Sequence, residues 1–111
     1  MNDQGRVRFM RLLVFFDLPV ETAKQRKDYR LFRKYLIKEG YLMVQESVYS
    51  KLVTTEAASS AAIDRLRKHR PPAGLVQVLR VTEKQYATMT YITGERGSYD
   101  ELDTMEDLVV I

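Results

Sequence analysis

At 111 residues the chain has room for one domain with a modest core, and 45% hydrophobic with 30% charged residues is the composition of a folded globular protein rather than a disordered one. Zero cysteines exclude disulfides and thiolate metal sites, and no apolar run approaches the roughly 20 residues that a membrane helix requires. The net charge of +3 is unevenly spread: residues 1–94 carry +8 and residues 95–111 carry −5, and a basic body suits a polyanion such as nucleic acid, although a solvated Lys/Arg-rich surface has the same composition.

Met1 to Arg8 is polar and no signal-type apolar region follows it, so the expected location is cytoplasmic. Phe9 to Asp17 is a nearly continuous apolar run broken by Arg11, which predicts a first strand covered on both faces and ending on an acid. Pro19 stops it. Thr22-Ala23-Lys24-Gln25 fits a capping box that opens a helix; Tyr29, Phe32 and Leu36 form its buried face and Gly40 closes it. Tyr41 to Val53 alternates imperfectly, which predicts two short strands joined by a bend or bulge around Ser47. Thr54 or Thr55 caps a second helix through about His69, with Ala58, Ala62, Ile63 and Leu66 as its apolar side. Arg65, Arg67, Lys68 and Arg70 gather in its last turns, where positive charge offsets the helix dipole.

Pro71-Pro72-Ala73-Gly74 breaks that helix, and Leu75 to Val81 reads as a fourth strand. A short helical turn at Thr82 to Thr88, a candidate strand at Thr90 to Thr93 and a Gly94-to-Gly97 turn follow. Leu108 to Ile111 is an apolar stub that either frays or adds to a sheet edge. The order predicts an α+β fold, ferredoxin-like β-α-β-β-α-β with an additional C-terminal strand. Residues 1–94 form the domain, and residues 95–111 form an acidic extension ending in the edge strand. Two helices on one face of the sheet leave the other face needing cover, which points to a homodimer.

Asp17 leads the candidate site residues, because a carboxylate at the carboxyl end of a buried strand is held by the scaffold yet left accessible by the loop after it. Its competing role is to bond the loop backbone before Pro19. A single carboxylate is too little for a magnesium site, which takes one or two carboxylates with water and phosphate oxygens; a dimer that brings two copies of Asp17 to a two-fold axis removes that objection. Ser47 could hydrogen-bond a phosphate or merely satisfy bulge backbone. Lys24, Lys27, Arg30, Lys34 and Lys38 recur at three- and four-residue spacing and form a stripe suited to tracking phosphates without reading bases. The sole histidine, His69, excludes a two-histidine metal site within one chain. Gly94-Glu95-Arg96-Gly97 is too short for a phosphate-cradling loop, and the tyrosines lack the paired strand arrangement of a base-stacking sheet.

The ordered set Leu13-Val14-Phe15-Phe16-Asp17-Leu18-Pro19, Thr22 to Arg33, Val44-Gln45-Glu46-Ser47-Val48-Tyr49 and Thr82-Glu83-Lys84-Gln85 resembles the CRISPR-associated protein two family. The last segment resembles members from single-effector RNA-guided nuclease systems, and the likeness covers roughly Phe9 to Gly94. It implies a homodimer with packed sheets and C-terminal strands crossing to the partner. The implied role is in spacer acquisition, where the dimer bridges two integrase dimers and binds duplex DNA. The family's classification as magnesium-dependent endoribonucleases or endonucleases implies Asp17 as catalytic residue and metal ligand, one Mg2+ shared at the dimer interface, and single-stranded RNA as a further substrate; acquisition can rest on the scaffold rather than on cleavage. This chain has Phe16 before the aspartate where many relatives have tyrosine, and its acidic extension is not a general family motif. Outside the family, a small-ligand regulatory ferredoxin-like domain remains the alternative; it would need a pocket and no basic stripe.

Overall fold

The computed structural model describes residues 9–95. Its elements are β1 (Met10–Asp17), α1 (Ala23–Lys38), β2 (Leu42–Gln45), β3 (Val48–Val53), α2 (Glu56–Lys68), β4 (Leu75–Thr82) and α3 (Glu83–Ala87). The strands form one antiparallel sheet in the order β2-β3-β1-β4. This α+β arrangement is compatible with the ferredoxin-like expectation. The stub Leu108 to Ile111, and with it the additional C-terminal strand, lies outside the described residues, as does Gly97.

Side chains alternate along β1, and that alternation divides the molecule. Leu12, Val14 and Phe16 are buried on the inner face, against Phe32 and Leu36 of α1 and Ala62 and Leu66 of α2. Tyr49 and Val53 of β3 and Met43 of β2 complete that core. Phe16 is its aromatic centre, meeting Phe32 edge-on at 5.3 Å between ring centroids and Tyr29 at 5.8 Å. Such pairs add about 0.5–1.5 kcal/mol each beyond their burial. Register puts Arg11, Leu13, Phe15 and Asp17 on the other face, beside Leu52, Ser50 and Val48 of β3 and Val81, Leu79, Gln77 and Leu75 of β4. Leu13 is buried there and Phe15 half-buried, but Leu42, Leu52, Leu75 and Leu79 are all more than two-fifths exposed. The first strand is therefore covered fully on one face and only partly on the other.

Both helix starts follow local chemistry. The Thr22 hydroxyl accepts from the Gln25 amide at 3.0 Å while Gln25 Oε1 accepts from the Thr22 amide at 3.0 Å, closing the expected capping box. Thr55 rather than Thr54 caps α2, accepting from the Ala58 amide at 3.0 Å. Of the expected apolar side of α2, Ala62 and Leu66 are buried and Ile63 packs against the core, but Ala58 is exposed and Ser59 is buried instead. The buried row runs Ser59, Ala62, Leu66 at three- and four-residue steps, and Ala58 lies at its edge, about 100° around the helix from Ser59. Burial of Ser59 is tolerable because its hydroxyl accepts from Arg80 at 3.3 Å, and the same Arg80 nitrogen donates to Glu56 at 2.7 Å.

Thr90 to Thr93 is not a strand. The amides of Thr88 and Met89 bond back to Gln85 and Tyr86 and turn the chain, and no strand among the described residues pairs with the segment. β-propensity without a ladder to join does not make a strand. Ile92 in consequence is 91% exposed.

Tyr41 follows the C-cap of α1, its amide bonded to the Leu36 carbonyl, and its side chain is buried. Its hydroxyl has no hydrogen-bond partner among the described residues, and burial pushes its pKa up to about 12. The unfolded chain, titrating near its ordinary value of about 10, releases that proton first, so the native state holds more protons between the two values and stability falls as pH rises from about 10 to 12. Urea midpoints at pH 8 and pH 11 should therefore converge in Tyr41→Phe relative to wild type. At pH 8 the variant should be at least as stable, since it removes a buried hydroxyl without a partner.

Candidate functional site

Asp17 is the last residue of β1 and its backbone is held from both sides. On one side it pairs with Leu75, the first residue of β4. On the other, the amide of the preceding Phe16 donates to the Ser47 carbonyl at 3.0 Å, which brings the β2–β3 turn to the same end of the sheet. That turn is tied again by the Tyr29 hydroxyl, which donates to the Glu46 carbonyl at 3.4 Å. Immediately after Asp17, Leu18 is buried in the core. The main chain is thus fixed while the Asp17 side chain is exposed on the open face. Among the described residues its carboxylate makes no hydrogen bond or ion pair, so the expected alternative role of bonding its own loop is not taken up.

Ser47 is half-buried in this turn, and its main chain, rather than its hydroxyl, makes the contact with β1. The structure brings Ser47 and Asp17 to one end of the sheet. It also brings a residue that sequence reasoning missed: Gly74, one position before β4, lies directly against the Asp17–Leu18 backbone. Pro71-Pro72-Ala73-Gly74 reads only as a helix break; no local pattern tells where in space the break comes to rest.

The basic residues of α1 form a separate surface. Lys24, Lys27, Arg30, Lys34 and Lys38 are all exposed. At 3.6 residues per turn they fall within an arc of about 120°, opposite Phe32 and Leu36. Lys24 pairs with Asp28 at 3.1 Å; the other four have no carboxylate partner among the described residues. Arg26 is used locally, donating to the carbonyls of Val20 and Glu21 at 3.1 and 3.0 Å and so tying down the loop before the helix. His69 caps the C-terminus of α2, bonded through Nδ1 to the Arg65 carbonyl at 2.9 Å and stacked on Tyr35 at 4.4 Å, a structural placement.

Among the described residues no group of three or more His, Cys, Asp or Glu side chains could hold a metal ion. A magnesium site on Asp17 would need ligands from elsewhere: a second copy of the chain, phosphate oxygens or water. No helix among the described residues is long and apolar enough to cross a membrane.

Comparison with known proteins bears on these surfaces together. The family model for CRISPR associated protein Cas2 matches residues 10–89. The chain is 53% identical over 102 residues to a CRISPR-associated endoribonuclease Cas2 of Treponema denticola, a match covering 92% of this chain and all of that protein. It is 51% identical over 89 residues to a CRISPR-associated endoribonuclease Cas2 of Streptococcus mutans, covering 80% of this chain and 82% of the other. Identity to the protein of the same name from Flavobacterium psychrophilum is 36% over 92 residues, or 83% of this chain and 80% of the other. The Treponema denticola match leaves only nine residues of this chain outside it, so it extends into the acidic stretch 95–111. The small-ligand regulatory alternative finds no support in these matches.

Proposed function

This chain belongs to the Cas2 family of CRISPR-associated proteins, and from that premise we propose that it serves spacer acquisition as a homodimer that bridges integrase dimers and holds duplex DNA by its phosphates. The observation that carries this reading is the α1 stripe: five exposed cations on one arc, four of them without a carboxylate partner among the described residues. Lysine and arginine so arranged meet a regularly spaced row of negative charge, and they carry no information about base sequence. Indifference to sequence is what a protein that accepts any foreign fragment requires.

The open face supports dimerisation. Leu42, Leu52, Leu75 and Leu79, with the half-buried Phe15, make an apolar surface that a second copy would cover. Asp17 shares that face, at the end of the same strand. Packing two open faces about a two-fold axis would place both copies of Asp17 at one interface.

That placement supports a second activity, magnesium-dependent cleavage of RNA or DNA. It draws on the exposed, unpaired Asp17 carboxylate and on the endoribonuclease names of the relatives. The Asp17 carboxylates of two copies would hold the ion, which when bound polarises a phosphodiester oxygen as a Lewis acid. The fixed main chain at Asp17 keeps the two acids from retreating from one another, and Ser47, in the adjoining turn, is the nearest candidate to donate a hydrogen bond to a phosphate.

Reversing three charges in Lys27→Glu, Arg30→Glu and Lys34→Glu should weaken binding to duplexes of any sequence. Because each lost phosphate contact lowers the slope of log affinity against log salt by about 0.9, the triple variant should lose a slope of about 3 for each α1 stripe that touches the duplex. An unchanged slope in a fluorescence-anisotropy salt series would remove α1 from the DNA surface. Sedimentation should find wild type dimeric at micromolar concentration and Leu79→Asp monomeric with its helical circular dichroism intact, since Leu79 is half exposed in the single chain; a dimeric variant would place the interface elsewhere. Asp17→Asn keeps the side-chain volume and loses the charge that a hard cation needs, so magnesium-dependent cleavage should collapse while duplex binding and dimerisation persist. Acquisition assays with the cognate integrase decide between the two activities: the asparagine variant should still support spacer insertion, and loss of insertion with normal complex assembly would make Asp17 chemistry essential.

A further inference from the structure

Gly74 adopts a left-handed backbone, with φ at +98°. A Cβ placed on it would lie 2.7 Å from the Asp17 carbonyl oxygen, 2.8 Å from Leu18 Cδ2 and 3.0 Å from Leu18 Cα. Two of these three neighbours are main-chain atoms of the segment that carries Asp17, and main chain held in a sheet cannot swing aside as the tip of a lysine can. Gly40 and Gly94 have nearly the same backbone, at +94° and +90°, but different surroundings. A Cβ at Gly40 would meet only the flexible end of Lys51, at 3.1 Å, and one at Gly94 would meet nothing within 4 Å. The need for a positive φ is thus shared by the three described glycines, whereas among them the close approach to main chain belongs to Gly74 alone.

We propose that Gly74 is a positioning residue for Asp17. Its missing side chain lets the loop between α2 and β4 lie on the Asp17–Leu18 main chain as a backstop. With the Ser47 carbonyl holding Phe16 from the other side, the loop fixes the direction in which an otherwise unrestrained carboxylate leaves the strand. A carboxylate that must meet its counterpart from a second copy across a shared cation tolerates little error in direction, which is why the backstop falls at this residue. The proposal rests on the nuclease reading of Asp17 in giving that direction a use, but the restraint itself can be measured apart from cleavage.

The test compares Gly74→Ala with Gly40→Ala and Gly94→Ala in the full-length chain carrying 13C-labelled aspartate. All three variants should lose thermal stability through the shared backbone strain. Only Gly74→Ala should move the amide and carboxyl resonances of Asp17, and only it should weaken the broadening of that carboxyl signal by Mn2+ by about 10–100-fold in cation concentration. Asp17 resonances and a manganese titration that coincide with those of Gly94→Ala would overturn the proposal. If wild type shows no broadening at Asp17, the nuclease reading fails, and Gly74 is then judged on the resonances alone. Should Gly74→Ala not fold, Pro72→Gly loosens the same loop without adding a side chain: broadened Asp17 resonances in a folded protein support the backstop, and wild-type resonances overturn it.

Discussion

Strand β1 lies between β3 and β4 and is bonded along its length to both, so it cannot slide. A slip of one residue would exchange Leu12, Val14 and Phe16 for Arg11, Leu13, Phe15 and Asp17, burying an arginine and an aspartate under the helices. Every other placement depends on that register being held. It sends the aromatic cluster of Phe16, Tyr29 and Phe32 inward, and it sends Asp17 outward on the face that the helices leave open. The same apolar run that reads as one strand in the sequence therefore supplies both a core and part of the open face.

Arg11 is the exception in that run, and the structure gives it a use. Its guanidinium donates through Nε to Glu83 Oε1 at 2.6 Å and through Nη2 to Glu83 Oε2 at 3.3 Å, and it lies 4.6 Å from the centre of the Tyr86 ring. Both partners belong to α3, a helix of five residues that would not be stable alone. The Thr82–Gln85 capping box starts α3, Glu83 in its first turn suits the positive end of the helix dipole, and Arg11 then anchors the helix to the sheet. One charged residue in a central strand thus fixes where the chain goes after β4, and it bounds the apolar part of the open face at that end.

Local chemistry was legible in the sequence and distant juxtaposition was not. The box at Thr22–Gln25, the helical turn from Thr82, the bend at Ser47 and the closing of α1 at Gly40 depend on residues within a few positions of each other, and each is where the pattern placed it. Ala58 is apolar and its spacing predicts burial; Ser59 is buried instead, and Arg80, more than twenty residues away, reaches across to its hydroxyl. Thr90 to Thr93 has the composition of a strand, but a strand is made by its neighbour. Of the site, Asp17 and the α1 stripe could be picked out by position and spacing. Gly74 could not, since a glycine after two prolines is an ordinary turn until the fold sets it on the Asp17 carbonyl.

The two proposed activities use opposite sides of the sheet. The α1 cations point away from the core on the helix side, whereas Asp17 leaves β1 on the open face. A duplex lying along α1 is therefore not presented to Asp17 by the contacts that hold it. Within one chain, binding and cleavage would then share only the rigid scaffold between them, and the α1 stripe could change in sequence without disturbing Asp17. That separation gives a physical reason why a protein of this shape can act as a bridge whether or not its carboxylates cut: the core residues that space the stripe are those that hold the sheet, and none of them is asked to do chemistry. The proposed dimer would couple them at one place. A change at the open face that altered how two copies meet would move one α1 stripe relative to the other, so the proposed DNA surface and the proposed Asp17 pair would both depend on that interface.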